Sequence, residues 1–374
     1  MRRWIVIGLT AALVAVAVAV AGASWYFSEE LLKPDHEGGP YTIKVEGIEA
    51  RSASGETIVL ERDRATERPG TYAFEWKDGH AIVGPVRSQT KDTVTRRLTE
   101  VEGELKPGTK GVFNPVVWKS NPLAARGIPY RSVKVPTKLG PMPAWKTAGR
   151  SKTWAIYVHG LDGSPAAGLR DLPTLSKAGL PTLLITYRND VGAPKAPGGL
   201  IHLGYTEWED LDAAARYALD NGAERLVLVG ESMGGAIITR FVRKSKLAPR
   251  VSALVLDSPA LDWQSILSSQ AAKRNLAVIS KPVQFTVKER ADIDYDQLNE
   301  LKHTKDFEGV PILLFQGLED PLVPPEDTTK FARALPENLT YFQLPTAAHT
   351  SSWNVDPRLY DKRLAAFLRR LGSR

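Results

Sequence analysis

The stretch LVLVGESMGGAIIT, residues 226–239, decides the fold of this chain. An apolar run ends at a glycine, a single serine follows, and two further glycines precede a second apolar run. This pattern predicts a buried strand, a tight turn and the first turns of a helix. Residues 230–234 match G-x-S-x-G, a motif that holds a serine on a sharp strand-to-helix turn. Ser232 is therefore either a nucleophile or a serine without chemical function in a turn that needs small residues.

The residues around the serine favour the nucleophile. A strained backbone packed closely against its neighbours needs small residues on both sides, which accounts for Gly230 and Gly234. The backbone N–H of Met233 would lie at the start of the helix, where unpaired N–H groups and the helix dipole stabilise a developing oxyanion. We therefore expect Ser232 to attack, the two glycines to support the turn, and Met233 to supply one oxyanion donor through its backbone.

A serine hydroxyl is a weak nucleophile at neutral pH and needs a base, which in turn needs an orienting acid. The chain has six histidines, and His349, in the segment LPTAAHTSSWN, is the one placed after all the predicted strands. Asp320 follows the preceding strand, in the segment QGLEDPLVP. The order Ser232, Asp320, His349 is the chain order expected for a triad built on this kind of turn. Glu319 and Asp257 remain open as alternative acids.

The segment IYVHGLDGSP, residues 156–165, supplies the loop expected to complete the oxyanion hole. It follows an early predicted strand, and the N–H of Leu161 is the candidate for the second donor. We expect His159 to pack against the loop or hydrogen-bond it rather than act as a base, and Gly160 to support the same loop. The sequence HGGG is absent, which excludes the lipase and esterase variant that uses it.

Strands and helices alternate in the second half of the chain. The clearest helix begins at a capping box of Thr206 and Glu209 and runs to a C-cap at Asn221. A hairpin is predicted at residues 130–146. Alternating strands and helices predict an α/β fold, an open sheet with helices on both faces and a site at the carboxyl ends of the strands. Short, apolar, non-alternating runs are the candidate parallel strands: residues 153–158, 182–187, 226–229, 253–256, 312–315 and 340–344.

The N-terminal residues 1–32 are expected to be a signal-anchor or transmembrane segment. Residues 4–27 carry no charge and would span about 36 Å as a helix, enough for a hydrocarbon core of about 30 Å. Aromatic residues at both ends of this run are placed like interfacial belts, which favours a retained anchor. A signal peptide cleaved near Ala23, followed by secretion, is the alternative. Either way, Arg2 and Arg3 stay cytoplasmic and the rest of the chain lies outside the cytoplasm.

Between the anchor and the α/β region, we expect a linker at residues 33–40 and a β-rich region at residues 41–127. The runs TYAFEW and HAIVGPV, separated by a glycine turn, predict a hairpin there. No catalytic constellation is found in this region. The net charge of the 374-residue chain is +7 without a basic stripe interleaved with aromatics, which argues against nucleic-acid binding. The absence of cysteine excludes disulfides and a cysteine nucleophile.

From about residue 130 to residue 371 the chain resembles the α/β-hydrolase superfamily of serine hydrolases. The resemblance is carried by the motifs HGLDGSP, GESMGG, QGLEDPLVP and AAHTSSWN in this order. Within the superfamily the chain is similar to small bacterial hydrolases with one N-terminal membrane anchor. The resemblance implies a catalytic domain over residues 128–374, with a mostly parallel eight-stranded sheet whose first strands are antiparallel. One departure is Gln316, where many members have histidine, and we expect no effect on the triad.

These residues together predict acyl transfer through a covalent acyl-enzyme, without a metal or an organic cofactor. We expect the substrate to be a small-molecule or lipid-like carboxylic ester. Two alternatives stay open: an acyltransferase, peptidase or amidase with the same triad, and a non-enzymatic surface-binding module on a hydrolase fold. Residues 262–306 are expected to form short helices, either a small lid or helices packed on the sheet. Arg188 near the rim is expected to form a structural ion pair.

Overall fold

The chain passes from a long apolar helix through a small β-barrel into a large sheet flanked by helices. A computed structural model describes residues 2–36, 38–52 and 55–372. The first helix, α1, is Arg2–Leu32. Within the described residues, α1 contains an 18-residue window with a mean hydropathy of 2.6 and is the one helix long and apolar enough to cross a membrane.

The β-rich region forms a closed barrel whose strand order is β1-β2-β5-β4-β3-β6, counted over the described residues. The hairpin predicted from TYAFEW and HAIVGPV is present as the antiparallel pair β3 and β4. Pairing of β1 with β6 closes the barrel around a small apolar core that includes Phe74. The strands are β1 (Ile43–Ser52), β2 (Gly55–Glu61), β3 (Tyr72–Trp76), β4 (Gly79–Gln89), β5 (Thr93–Glu102) and β6 (Lys110–Asn114).

The second half of the chain builds the eight-stranded sheet that the resemblance implies, with the order β14-β13-β12-β11-β9-β10-β8-β7 in the described residues. Strand β8 runs antiparallel to both of its neighbours, and all other neighbouring strands are parallel. The strands are β7 (Tyr130–Thr137), β8 (Gly140–Thr147), β9 (Thr153–Val158), β10 (Thr182–Ile185), β11 (Arg225–Glu231), β12 (Val251–Asp257), β13 (Ile312–Gly317) and β14 (Leu339–Leu344).

Helices cover both faces of this sheet, so its central strands are apolar on both sides. Ile156 of β9 belongs to the core on one face, with α4 and α5, whereas Tyr157 belongs to the core on the other face, with α3 and α10. Helix α7 packs alongside the end of α1. The helices after α1 are α2 (Pro122–Arg126), α3 (Leu172–Lys177), α4 (Trp208–Asp220), α5 (Met233–Lys244), α6 (Trp263–Lys273), α7 (Ser280–Ala291), α8 (Pro325–Ala334), α9 (Ser352–Val355) and α10 (Pro357–Gly372).

The start of α4 differs from the prediction, because the capping box does not form. The helix begins at Trp208, and the hydroxyl of Thr206 is buried without a hydrogen-bond partner. Instead, the buried carboxylate of Glu207 accepts hydrogen bonds from the backbone N–H groups of His202 and Gly204. The loop before α4 thus folds back over the start of the helix, and its N–H groups bond to the carboxylate of Glu207, one residue after Thr206. The predicted C-cap at Asn221 is present.

Candidate active site

Ser232 stands between the end of β11 and the start of α5, on a strained turn. Its φ is +51° and its ψ is −121°, a left-handed region that non-glycine residues rarely adopt. A Cβ at Gly234 would overlap the carbonyl oxygens of Val158 and His159 in β9 and the loop after it. A Cβ at Gly230 would lie 2.6 Å from a methyl group of Ile238. Both glycines therefore allow the helix to pack closely against the sheet.

A chain of hydrogen bonds joins Ser232, His349 and Asp320, the three side chains predicted from the order of the motifs. The Nε2 atom of His349 lies 2.8 Å from the Oγ of Ser232, and its Nδ1 lies 2.8 Å from the Oδ2 of Asp320. The other carboxylate oxygen of Asp320 accepts from the N–H groups of Leu322 and Val323, at 2.8 and 2.9 Å. Because a carboxylate only accepts, His349 donates from Nδ1, which leaves Nε2 free to take a proton from the serine.

The structure places the two alternative acids elsewhere. Glu319 is partly exposed, and its carboxylate lies 3.4 Å from Arg64 of the barrel. Asp257 is buried at the end of β12, and its carboxylate accepts from the hydroxyls of Ser258 and Ser352. Burial raises the pKa of Asp257 to about 6. Neither carboxylate hydrogen-bonds His349.

Gln316 takes part in the site, although we expected the departure from histidine to have no effect on the triad. Its Nε2 donates to the Oδ2 of Asp320 at 3.1 Å, the same oxygen that His349 contacts. The side chain is fully buried at the end of β13. Gln316 thus helps to fix the carboxylate while remaining uncharged.

The loop after β9 lies directly against Ser232. A Cβ at Gly160 would come within 3.1 Å of the Cβ of Ser232. The carbonyl oxygen of Gly160 accepts from the hydroxyl of Tyr187 at 2.6 Å and contacts the Nδ1 of His159 at 2.9 Å. In a planar trans peptide, the C=O of Gly160 and the N–H of Leu161 point in opposite directions. Holding that carbonyl therefore aims the Leu161 N–H away from Tyr187 and His159.

His159 is fully buried beneath this loop and stacks on Tyr187, with ring centres 4.4 Å apart. Its Nε2 lies 2.8 Å from a carboxylate oxygen of Asp190, and its Nδ1 faces the Gly160 carbonyl. Burial lowers the pKa of His159, but the charge and hydrogen bond of Asp190 outweigh burial and leave that pKa above its ordinary value. Both ring nitrogens of His159 thus face hydrogen-bond acceptors, and these two contacts hold the ring beneath the loop.

The charge of Glu231, next to the nucleophile, is neutralised by a residue that the sequence did not reveal. Glu231 forms a buried ion pair with Arg170, which precedes α3. Arg170 also donates to the carbonyl of Thr350 at 2.6 Å and to the side-chain oxygen of Asn354 at 3.1 Å. Thr350 directly follows His349. One guanidinium therefore links the residue before Ser232 to the loop that carries His349.

The barrel contacts the same histidine loop through Asn354. The side-chain amide of Asn354 donates to the carbonyls of Thr71 and Pro115, at 2.7 and 2.9 Å. The N–H of Thr71 returns a hydrogen bond of 3.0 Å to the Asn354 carbonyl. The sequence predicted a β-rich region without a catalytic constellation, but not this contact, which joins residues far apart in the chain.

Arg188 lies at the rim in a buried pair with Asp210, with two bonds of 2.8 and 2.9 Å. This geometry matches the expected structural ion pair. In the described part of the chain, no cluster of three or more His, Asp or Glu side chains could hold a metal ion.

Comparison with known proteins adds two family matches. Residues 199–373 match the prolyl oligopeptidase family, and residues 47–114 match a domain of unknown function (DUF8805). No curated protein matches this chain in sequence.

Solved structures share the fold of the second half of the chain. The esterase Pf2001 of Pyrococcus furiosus is 23% identical with a TM-score of 0.55, over 68% of this chain and 95% of that one. DcsB in complex with its substrate analogue is 16% identical with a TM-score of 0.51, over 65% of this chain and 99% of that one. The sheet order and these likenesses show that the chain after the barrel has the α/β-hydrolase fold, and the family match agrees with this fold.

Proposed function

We propose that the protein is a membrane-tethered serine hydrolase that cleaves carboxylic esters. The observation that carries the proposal is the pair of 2.8 Å contacts that joins Ser232 to His349 and His349 to Asp320. The strained turn that holds Ser232 and the loop that presents Leu161 support the same assignment. We assign the catalytic chemistry to residues 128–374, the barrel region to 41–127, the linker to 33–40 and the anchor to 1–32.

In the first half of the reaction, the Oγ of Ser232 attacks the ester carbonyl while the Nε2 of His349 takes its proton. The N–H groups of Met233 and Leu161 donate to the oxyanion that forms. His349, now cationic and stabilised by Asp320, gives its proton to the leaving alkoxide, and an acyl-Ser232 ester remains. In the second half, His349 takes a proton from water, the hydroxide attacks the acyl carbon, and Ser232 leaves with the proton.

The membrane tether in this proposal is assigned to α1. Its apolar stretch is exposed along its length and is long enough to span a bilayer, and Arg2 and Arg3 at its start favour a cytoplasmic N-terminus. Its last turns pack against the hydrolase domain, where Ser28 and Leu32 are buried. A retained anchor predicts that the full-length chain stays with membranes after alkaline extraction. Release of a chain that begins near Ser24 would instead indicate signal cleavage.

A peptidase or amidase is the second candidate, and the match of residues 199–373 to the prolyl oligopeptidase family favours it. The same triad serves both bonds, because acylation differs only in the leaving group. Initial rates on matched ester, anilide and peptide substrates separate the two functions. A preference for amides over the matched esters would replace the esterase proposal.

Labelling of the serine by a fluorophosphonate tests the nucleophile itself. We expect the full-length protein to be labelled on Ser232, and both labelling and ester turnover to be lost in Ser232→Ala. The matched control is Ser176→Ala in α3, outside the site, which should be labelled like wild type. Equal labelling of Ser232→Ala and wild type would contradict the proposal. A folded wild type that does not react would favour the binding-module alternative.

A further inference from the structure

Helix α1 continues as one rigid element from its exposed apolar stretch into the hydrolase domain. Arg290 of α7 donates to Ser28 and to Glu29 of α1, at 2.6 Å each. The same guanidinium lies 4.0 Å from the ring centre of Trp25. Leu32 belongs to the main core of the domain. The end of α1 and the hairpin of α6 and α7 therefore hold a fixed position relative to each other.

A cleft of about 170 Å³ lies between the last turns of α1 and the helices α6 and α7. We call it the α1 cleft. Arg274 and Glu30 stand at its polar side, 3.5 Å apart. An apolar cavity of about 150 Å³ holds one benzene molecule, so this volume suits a segment of about six carbon atoms. Its apolar walls are formed by Phe27, Leu31, Leu267, Leu276, Ile279 and Val283.

With α1 across a bilayer and Trp25 at the boundary, the α1 cleft would begin at the depth of the lipid headgroups and extend just beyond them. Trp25 is exposed at the end of the apolar stretch, where aromatic residues mark the membrane boundary. At 1.5 Å per residue, Phe27 and Leu31 lie about 3 and 9 Å beyond Trp25 along the helix. The interfacial layer on each side of a bilayer is about 5–8 Å thick. An acyl chain that bends out of the bilayer along α1 therefore meets the cleft first.

The outer surface of the same hairpin suits contact with lipid. Val278 and Phe285 are 81% and 64% exposed, which leaves two large apolar side chains in solvent beside the cleft. Lys281 and Lys288 add positive charge to α7. Apolar side chains mixed with lysines are the composition of surfaces that lie in the membrane interface.

The chain after α1 leads away from the cleft and toward the catalytic site. The N–H of Asp35 donates to Asp162, in the loop that carries Leu161, at 2.9 Å. On the other side, Gln270 of α6 donates to the carbonyl of Pro321, next to Asp320, at 2.7 Å. The linker therefore does not fill the cleft, and both walls of the cleft adjoin loops of the site.

We propose that the α1 cleft binds an acyl chain of a lipid from the bilayer that α1 crosses, with the polar part of the lipid beside Arg274. The inference rests on the membrane tether of the proposed function, but not on catalysis. It identifies the hairpin of α6 and α7 as the surface where lipid reaches the enzyme.

The test uses the full-length protein in phosphatidylcholine vesicles that contain a phosphatidylcholine with a photoreactive diazirine within the first six carbons of one acyl chain. After irradiation, peptide mapping should find crosslinks in residues 267–283 in addition to α1. Val283→Trp and Leu267→Trp fill the cleft from two sides. If a filling variant takes the space of two methylene groups of the acyl chain, the lost burial lowers the occupancy of the cleft about tenfold. We therefore expect at least about a tenfold loss of the 267–283 crosslinks, with the α1 crosslinks unchanged.

Three controls separate this inference from the proposed function. Phe285→Trp changes an exposed residue of the same helix and should keep the crosslinks of wild type. Ser232→Ala should also keep them, whether or not Ser232 proves to be the nucleophile. Melting temperatures of the two filling variants equal to that of wild type exclude misfolding. Crosslinks confined to residues 4–27, crosslinks at 267–283 that survive both filling variants, or no crosslinks at all would overturn the proposal.

Discussion

At the scale of single residues, the proposed triad makes the reactivity of Ser232 depend on the protonation of His349. Burial lowers the pKa of His349, but the charge and hydrogen bond of Asp320 outweigh burial and raise that pKa above 6.5. In return, although burial raises the pKa of Asp320, the charge and hydrogen bond of His349 hold it below its usual value. The pair therefore keeps Asp320 ionised, and His349 becomes a working base only above its raised pKa.

The first prediction concerns the acid limb of the pH profile. Because His349 must be neutral to accept the serine proton, kcat/KM for a soluble ester should rise through an inflection above pH 6.5. Asp320→Asn removes the two largest interactions that raise the pKa of His349 and leaves burial with the weaker effects of Glu231 and Asp257, so the inflection should move to lower pH. The same change should reduce kcat about 10⁴-fold.

Glu319→Gln is the matched control, because it removes the neighbouring carboxylate that pairs with Arg64. It should leave both the rate and the inflection unchanged. A shift in Glu319→Gln as large as that in Asp320→Asn would show that Asp320 is not the orienting acid.

The second prediction concerns the close approach at Gly234. In Gly234→Ala the new methyl group meets two carbonyl oxygens of the backbone, which cannot move away as a side chain can. We expect a loss of about 3 kcal/mol in stability, or a melting temperature roughly 6–12 °C lower. Gly47→Ala in the barrel is the matched control, because its methyl group would lie 3.8 Å from Val59, an ordinary contact. Equal melting temperatures for the two variants would contradict this account.

The residues of the proposed triad carry clearer sequence signals than the residues that contact them. Ser232, His349 and Asp320 carry local signals: a glycine bracket, a place after the last strand, and a fixed chain order. Arg170 and Asn354 carry none, since each acts through contacts with residues more than 60 positions away. Their roles depend on how the loops meet, which periodicity and spacing do not encode.

At the scale of elements, the barrel, the histidine loop and the strand before Ser232 form one connected network. In the barrel, the fully buried Arg96 donates to the carbonyls of Thr66, Arg68 and Gly70, which fixes the loop that leads to Thr71. Burial lowers the pKa of Arg96 to about 10. From Thr71 the hydrogen bonds pass through Asn354 to Arg170 at the site. The barrel can therefore order the loop that carries the base.

The third prediction tests this connection with Asn354→Ala. The change leaves two barrel carbonyls without donors and removes one acceptor from Arg170. An unsatisfied buried group costs about 1–3 kcal/mol, so the melting temperature should fall. Because the histidine loop is loosened, kcat should fall as well, while the KM for a short soluble ester stays near that of wild type.

Asn338→Ala is the matched control, because it removes another asparagine side chain that donates to two backbone carbonyls. Asn338 donates to the carbonyls of Phe307 and Val310, which lie outside the barrel contact. It should lower the melting temperature but not kcat. Equal losses of kcat in both variants would mean that Asn354 acts only through general stability.

The strands themselves were predictable from short, continuous apolar runs. All six candidate parallel strands appear in the sheet, with ends that move by a few residues. The prediction for the start of α4 was wrong. Thr206 and Glu209 fit a capping box locally, but in the fold the N–H groups of the preceding loop bond to Glu207. Competing local hydrogen bonds of similar strength are decided by tertiary contacts, which a sequence pattern does not contain.

At the scale of the whole molecule, α1 is both the candidate anchor and a part of the hydrolase core. The N–H of Ile201 donates to the carbonyl of Leu32 at 2.7 Å, which ties the helix end to the loop before α4. The side chain of Leu32 is fully buried in the same core as Met233. The end of α1 and the α/β fold are therefore expected to unfold together rather than as independent parts.

The last prediction compares the same substitution at two positions of α1. Leu32→Ala should destabilise the full-length protein in detergent micelles by about 2–5 kcal/mol, because it opens a cavity in the core. That loss lowers the melting temperature of a domain of this size by about 2–4 °C per kcal/mol. Leu13→Ala removes a side chain that is 70% exposed and should leave the melting temperature of the hydrolase domain unchanged. Circular dichroism reports unfolding, and fluorophosphonate labelling at rising temperature reports the site. Coincident losses of both signals in Leu32→Ala would support one cooperative unit, whereas two equal, small shifts would show that the helix end folds apart from the enzyme.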